Sequence, residues 1–224
     1  MKYAVTPSIG YAIMDLTSIS EVKTMKEIIL ASSSPRRIEM FINHGFQPRV
    51  VPAHIDEALP FAMKPESSTM YLALKKAFHT AMSMDPAICG QPADCLIIAA
   101  DTVVVFDGRI TGKPSSQKEA FETLKKMKNR SHRVITGVCL LEKSGDIIIS
   151  KKCLHEVTSV YFKDYSDSEL RSYVKTDEPY DKAGGYAIQG IFSKYIDHID
   201  GDYDNVVGLP WKKIEPYLPE PQAQ

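Results

Sequence analysis

The sequence has few cysteines and almost no excess of charge of either sign. Its four cysteines form no C-x-x-C pair, and its formal net charge is −1. So few thiols argue against a disulfide scaffold and favour reduced cysteines, and a cytoplasmic location is expected. A near-neutral chain lacks the cationic field for binding a nucleic-acid polymer, because such binding neutralises many phosphates.

Long apolar runs and several signature motifs are also missing. No segment approaches the roughly 20 consecutive apolar residues of a membrane span, so no membrane partner is expected. H-E-x-x-H, the P-loop, G-x-S-x-G and G-x-G-x-x-G are absent, which removes the usual signs of zinc, Walker-type, serine-hydrolase and dinucleotide sites. Because the six histidines are dispersed, any metal is expected to take oxygen ligands, as Mg²⁺ or Mn²⁺ does.

The overall composition is that of an ordinary globular protein. The chain has 224 residues, of which 44% are hydrophobic and 25% charged. Residues 1–26 show no sustained hydrophobic period and are interpreted as an N-terminal extension. Residues 27–224 contain no clear linker or repeat and are interpreted as one folded domain.

Strand and helix signals interleave along the chain. Apolar residues 28–31 predict a strand, Ser34 and Pro35 predict the start of the next helix, and Gly45 predicts its end. Asp107-Gly108 predicts a two-residue hairpin turn. Helices interleaved with hairpins favour an α/β fold with a mixed twisted sheet and flanking helices. Further strands are predicted at 46–53, 96–100, 103–106, 109–111, 132–142 and 147–162, a loop at 85–94, and helices at 66–84, 116–128 and 166–175.

The segment Ser-Ser-Ser-Pro-Arg-Arg, residues 32–37, joins the first strand to the first helix. Free N–H groups at a helix start attract anions, and the hydroxyls of Ser32 and Ser34 add donors. The guanidinium groups of Arg36 and Arg37 can each bind two oxygens at once. The segment therefore predicts a phosphate site, with a capped surface helix and two solvated arginines as the alternative.

Two carboxylates and two lysines are further candidates. Asp101 follows the apolar strand 96–100, at the end where α/β proteins place site residues, and is a candidate to hold a metal or activate a water. Glu57 is a candidate second metal ligand. Lys113 lies in Gly-Lys-Pro, and Lys76 lies beside an apolar helix stripe that directs it inward. Locally, an Asx turn, a solvated loop acid and two surface lysines explain these four residues equally simply.

A glycine-rich segment occupies residues 181–190, with the sequence DKAGGYAIQG. Glycines allow a backbone to approach a ligand closely, and the amide of Gln189 can pair with the edge of a nucleotide base. A β-loop without a ligand is the alternative interpretation.

Together and in chain order, these segments resemble the Maf family of nucleotide pyrophosphatases. The resemblance runs from about Glu27 to Tyr217, and its collinear motifs are more specific than any one of them alone. The motifs are LASSSPRR (30–37), DE (56–57), ADTVV (100–104), GKP (112–114), HRVITGV (132–138), DKAGGYAIQG (181–190) and NVVGLP (205–210).

The resemblance implies an inosine triphosphatase-like fold around a central cleft. It implies that a homodimer hydrolyses nucleoside triphosphates to monophosphate and pyrophosphate with a divalent metal, Mg²⁺ or Mn²⁺. Asp101 would act as general base and, with Glu57, as metal ligand, and Lys113 would assist catalysis. The substrate would be bound by Ser32, Ser34, Arg36, Arg37, Lys76, Lys113 and Gln189.

The same motifs narrow the expected substrate. S-P-R-R, A-D-T and D-K-A-G-x-Y-x-I-Q-G resemble the branch of the family that acts on dTTP and UTP, with modified pyrimidine nucleotides as a possible extension. The alternative function is a non-catalytic nucleotide-binding regulator of cell division, in keeping with the older family name, septum formation protein.

Overall fold

The apolar segments of the sequence pair into one mixed sheet. The computed structural model describes residues 26–84 and 94–221. Within these ranges the sheet has seven strands, which are Glu27–Leu30 (β1), Arg49–Val50 (β2), Cys95–Phe106 (β3), Arg109–Thr111 (β4), Ser131–Ser144 (β5), Ile147–Phe162 (β6) and Ile196–Asp200 (β7). Their order in the sheet is β2-β1-β3-β5-β6-β7, with β4 paired to β3.

Helices cover both faces of this sheet. The helices are Pro35–Asn43 (α1), Pro65–Ser83 (α2), Gln117–Met127 (α3), Asp167–Tyr173 (α4), Tyr203–Val207 (α5) and Trp211–Ile214 (α6). One face of the sheet packs on the alanine stripe of α2, which consists of Ala73, Ala77 and Ala81, and the other face packs on α1 and α6 through Phe41 and Trp211. Short 3-10 turns lie at Ala183–Gly185, Ile191–Tyr195 and Glu215–Tyr217.

The predicted α/β fold is confirmed. Strand β1 pairs in parallel with β2 and β3, and the other described ladders are antiparallel, so the sheet is mixed. No helix among the described residues is long and apolar enough to cross a membrane. The proposed extension, except Lys26, and most of the predicted loop 85–94 lie outside the described residues.

The local signals for turns and helix starts are borne out unevenly. Asp107 and Gly108 both have positive φ, 49° and 75°, as the predicted hairpin turn requires. The S-x-x-E pattern, which favours a capping box at a helix start, occurs at both Ser116 and Ser166. Ser166 and Glu169 form a complete capping box. At α3 only half of the box forms, because the Glu119 carboxylate accepts from Ser115 rather than from the backbone of the cap residue, Ser116.

Two strand predictions were wrong in length. The strand expected at 46–53 is only β2, Arg49–Val50. The strand expected to end before Asp101 continues to Phe106, because residues 101–105 keep pairing antiparallel with β5. Asp101 therefore lies inside a strand, although it lies beyond the last parallel pair, Leu30 with Ile98.

One edge of β3 has a gap. On that edge β1 pairs with residues 95–98 and β4 pairs with residues 104–106, so no described strand pairs with residues 99–103 there. The chain leaves β1 through Ala31, whose N–H donates to the Ile98 carbonyl at 2.8 Å, and then enters α1. The gap opens at the carboxyl end of the parallel part of the sheet, where α/β proteins place ligands.

Helix α2 approaches the sheet closely at Gly137. A Cβ added there would lie 2.3 Å from the carbonyl carbon of Thr69 and 2.4 Å from the nitrogen of Met70. Gly137 pairs directly with Asp101 in the β3–β5 ladder. The missing side chain therefore lets α2 lie against the row of the sheet that carries Asp101.

Replacing Gly137 tests this contact. Gly137→Ala is expected to lower the free energy of unfolding by about 1–3 kcal/mol, since the added methyl group has to push α2 away from β5. Gly112→Ala is the matched control, because a Cβ at Gly112 would meet no atom within 4 Å. Urea unfolding measures both variants, and equal stabilities would contradict the close contact.

Candidate active site

Arg37 fills the gap in the sheet. From the first turn of α1 its guanidinium donates to Ser32 Oγ at 3.1 Å and to the Ala100 carbonyl at 3.0 Å. It also donates to Thr102 Oγ1 at 3.0 Å and to the Gly208 carbonyl at 2.8 Å. The side chain therefore joins the β1–α1 loop, β3 and the loop after α5 at one point.

These bonds use most of the hydrogen-bonding capacity of Arg37. A guanidinium has five N–H donors, and four of them are taken by the protein. Burial, with the nearby charge of Arg36, lowers the pKa of Arg37 to about 10, while Asp101 and Glu57 act in the opposite direction. Arg37 thus stays cationic at neutral pH and has one donor left for a ligand.

Lys76 joins the two candidate carboxylates. Its Nζ lies 2.7 Å from Asp101 Oδ1 and 2.8 Å from Glu57 Oε1. Lys76 and Asp101 are largely buried, whereas Glu57 is exposed on the loop before α2. An ammonium group has three donors, so Lys76 can hold both carboxylates and still donate to a third acceptor.

The charge around Glu57 is strongly positive. The hydrogen bond from Lys76 lowers the pKa of Glu57, burial acts in the opposite direction, and the charges of Lys76, Lys113 and Arg37 lower it further. Lys113 is exposed and follows β4 on the far side of the gap. Glu57 is therefore held as a carboxylate among three cations.

Helix α1 begins at the residues that the sequence predicted. Ser34 is the N-cap and Pro35 the first helical residue, but the Ser34 hydroxyl does not cap the helix. Instead, the Ser34 N–H donates to Ser32 Oγ at 3.2 Å. Arg36 makes no hydrogen bond or ion pair to any residue that the structure describes, so its guanidinium is open to an anionic ligand.

Two clefts meet at Ser34 and Arg37. The first, called here the main cleft, encloses about 780 Å³ including its open mouth, and its lining combines charged and hydroxyl-bearing side chains with apolar ones. The second, called here the carboxylate cleft, encloses about 570 Å³. The main cleft is lined by Ser34, Arg36, Arg37, Asp101, Thr102, Val104, Val134, Lys182, Ala183, Tyr186, Ala187, Ile188, Val206, Val207 and Gly208. The carboxylate cleft is lined by Ala31, Ser32, Ser33, Ser34, Arg37, Pro52, Ala53, His54, Glu57, Lys76 and Ala100.

His132 supports one wall of the main cleft from within the core. Its Nε2 lies 2.6 Å from the hydroxyl of Tyr186, and Tyr186 lines the cleft. Burial lowers the pKa of His132 to about 4, so the ring is neutral at physiological pH. His132 therefore positions Tyr186, a residue of the cleft wall, from within strand β5.

The structure brings most of the predicted residues together, with one exception. Serines 32 and 34, arginines 36 and 37, Glu57, Lys76 and Asp101 line one or both clefts, and the charge of Lys113 acts on Glu57. Gln189 is exposed and lines neither cleft. Its role stays a prediction.

Sequence reasoning did not single out several residues that build the site. Thr102 and Gly208 accept from Arg37, and Lys182 lines the main cleft while donating to the Glu178 carbonyl and to Asp181. All three lie inside the motifs ADTVV, NVVGLP and DKAGG, which had already been singled out from the sequence. Thr102 and Gly208 lie 65 and 171 residues from Arg37, so the motifs alone could not assign them this contact.

Known proteins of similar sequence show the family of this chain. A model of the family described as Maf-like protein matches residues 27–220. The chain belongs to the Maf-like family. A dTTP/UTP pyrophosphatase of Caldicellulosiruptor saccharolyticus is 44% identical over 195 residues, which cover 87% of this chain and 94% of that protein. A dTTP/UTP pyrophosphatase of Pyrococcus furiosus is 43% identical over 186 residues, covering 83% and 90%.

Solved structures give a weaker likeness. The Staphylococcus aureus Ham1 protein is 21% identical, with a TM-score of 0.36, over 62% of this chain and 73% of that one. A TM-score this low adds nothing to the description of the fold, which depends on the strand order given above.

The two arginines of α1 are expected to differ in their effect on stability. Arg37→Lys should lower the free energy of unfolding by about 1–3 kcal/mol, since one ammonium cannot reach acceptors on three separate segments. Arg36→Lys is the matched control and should change stability by less than about 0.5 kcal/mol. Urea unfolding measures both, and equal effects would contradict the bracing role of Arg37.

His132 gives a pH dependence of stability. The unfolded chain binds a proton at this residue below about pH 6.5, whereas the folded chain binds it only below about pH 4. Stability is therefore full above pH 6.5 and falls by on the order of 3 kcal/mol between pH 6.5 and 4. In His132→Gln this part of the fall should vanish, and in the control His79→Gln, at an exposed position, it should persist. If the free energy of unfolding of His132→Gln depends on pH as that of the unsubstituted protein does, the fall does not arise from His132.

Proposed function

We propose that this protein hydrolyses dTTP and UTP to the nucleoside monophosphate and pyrophosphate. The observation that carries the proposal is the gap in the sheet, where a cationic helix start, two carboxylates and a bridging lysine lie between two clefts. Membership of the Maf-like family supports it, as do the names of relatives 44% and 43% identical over most of the chain.

The charges suit a triphosphate. Arg36, Arg37 and Lys76 line the clefts, the charge of Lys113 acts on Glu57, and a triphosphate needs several cations to offset its charge. We assign phosphate contacts to these four, to the hydroxyls of Ser32 and Ser34 and to the start of α1. Arg36 is the most available of them, since Arg37 has one free donor.

The main cleft suits a nucleoside. Its walls carry Val104, Val134, Ile188 and Val206, and ligand sites commonly combine apolar walls with a few polar groups. Lys182 offers an ammonium there, which can donate to a pyrimidine carbonyl oxygen. We therefore place the base in the main cleft and the end of the phosphate chain in the carboxylate cleft.

The donor set fits a magnesium or manganese ion. Glu57 and Asp101 supply two carboxylates close enough to bind one ammonium, and no group of three or more ligating side chains occurs among the described residues. Mg²⁺ commonly takes one or two carboxylates and completes its shell with phosphate oxygens and water. When bound, such an ion would offset phosphate charge and act as a Lewis acid.

The side chains can divide the reaction between them. Hydrolysis to the monophosphate needs a water to attack the α-phosphorus, while the bond to the β-phosphate breaks and pyrophosphate leaves. Asp101 is assigned as the general base that takes the proton of that water, since Lys76 fixes its carboxylate in the gap. Lys113 and the arginines stabilise charge on the departing pyrophosphate. Gln189 keeps its proposed place near the substrate.

A homodimer and a cytoplasmic location belong to the same proposal. Both follow from the family resemblance and the cysteine pattern. Size-exclusion chromatography with light scattering measures whether the protein is a homodimer in solution.

Product analysis tests the reaction. With dTTP or UTP and Mg²⁺ or Mn²⁺, the protein should release pyrophosphate and monophosphate, and chelation by EDTA should stop it. Asp101→Asn should lower kcat by roughly 100-fold or more while the unfolding midpoint stays high. Orthophosphate and diphosphate as products would refute the proposal. Binding of dTTP without turnover under either metal would favour the non-catalytic regulator.

A further inference from the structure

Two cysteines face each other outside the site described above. Cys139 on β5 pairs directly with Cys153 on β6 in the antiparallel ladder. Cys139 is fully buried and packs with Ala73 and Ala77 of α2, whereas Cys153 is exposed. The pair therefore joins a solvent-facing thiol to a thiol in the core.

The backbone already has the spacing that a disulfide needs. Directly opposed residues in an antiparallel ladder have Cα atoms about 4.5–5.5 Å apart, inside the range of about 4.4–6.8 Å that a disulfide spans. Both side chains point to the face of the sheet that packs on α2, since each lies two residues from the row in which Asp101 pairs with Gly137. Closing the bond needs no shift of register.

The two thiols differ in reactivity. The neighbouring Cys139 thiol, with the charge of Lys151, lowers the pKa of Cys153 to about 7, against the effect of burial. The neighbouring Cys153 and burial raise the pKa of Cys139 far above its ordinary value. Cys153 is thus the exposed nucleophile, and Cys139 keeps its proton.

We propose that Cys153 and Cys139 form a reversible modification site for low-molecular-weight disulfides, with Cys153 as the capturing thiol and Cys139 as the resolving thiol. The Cys153 thiolate attacks one sulfur of a disulfide RSSR, forming a mixed disulfide and releasing RS⁻. With Cys153 in the mixed disulfide, its negative charge no longer holds the proton on Cys139. Cys139 then gives that proton to RS⁻ and attacks the Cys153 sulfur, and the second RS⁻ departs into solvent, where it takes up the proton that Cys153 released on ionising. The net change is two cysteine thiols oxidised to one disulfide and RSSR reduced to two RSH.

The position of the pair links it to the candidate active site. Ala73 and Ala77, which belong to the same core cluster as Cys139, flank Lys76 on α2, and Lys76 holds Glu57 and Asp101. A bond from Cys139 to Cys153 draws the buried sulfur toward β6 and away from this alanine stripe. The disulfide is therefore expected to lower hydrolysis at least threefold, an effect that depends on the proposed function.

Mass spectrometry tests the thiol chemistry without reference to activity. Because Cys89 lies outside the described residues, the experiment uses the full chain with Cys89→Ser. Oxidised glutathione should give a protein lighter by two hydrogen atoms, with one tryptic crosslink joining the peptides of Cys139 and Cys153. Dithiothreitol should reduce this disulfide and restore the original mass. In Cys139→Ala the product should instead carry one glutathione on Cys153, and in Cys153→Ser neither product should form.

Two results would overturn the inference. A stable glutathione adduct on Cys153 with Cys139 still reduced would refute the resolving role, and no reaction at Cys153 would refute the site. Pyrophosphate release, measured before oxidation, after oxidation and after reduction, tests whether the disulfide lowers hydrolysis through α2. Full turnover in the oxidised protein would refute that coupling, whereas no turnover in the reduced protein would count against the proposed function alone.

Discussion

The site depends on how one guanidinium completes a broken sheet edge. Between β1 and β4 the edge of β3 has no strand partner, and the carbonyl of Ala100 there needs a donor. Arg37 supplies it and at the same time binds the β1–α1 loop and the carbonyl of Gly208. A charged donor bonded to several acceptors in a half-buried site gives a rigid junction, because losing any one acceptor leaves the charge poorly solvated. The clefts meet at this junction.

A second constraint sets the height of α2 above the sheet. Gly137 has no side chain, so the backbone of α2 at Thr69 and Met70 lies against β5. Two turns further along the helix, Lys76 then reaches the carboxylate of Asp101. A helix held further out would leave the carboxylate without its cation. The close packing of α2 on β5 at Gly137 is therefore what allows Lys76 to pair with Asp101.

The combination explains how several charged groups of both signs are held close together. The two carboxylates would repel each other, but Lys76 stands between Glu57 and Asp101 and offsets both. Exposed Lys113 and unengaged Arg36 leave their charge open to the clefts. Under the proposed function, a ligand carrying phosphate would exchange partners with groups that are already in place, which is a form of preorganisation.

The sequence by itself determined the turns and helix starts of this protein, which depend on neighbouring residues. The Asp107-Gly108 turn, the helix start at Ser34 and Pro35 and the capping box at Ser166 follow from steric and hydrogen-bonding preferences within a few residues. The collinear motifs also named most residues that line the clefts. The extent of β3 did not follow, since residues 101–105 are held in the strand by β5 rather than by their own pattern. Nor did the partners of Arg37, which lie up to 171 residues away, or the pairing of Cys139 with Cys153. Those contacts exist only when the sheet has formed, because register and packing bring together residues that the chain alone leaves unrelated.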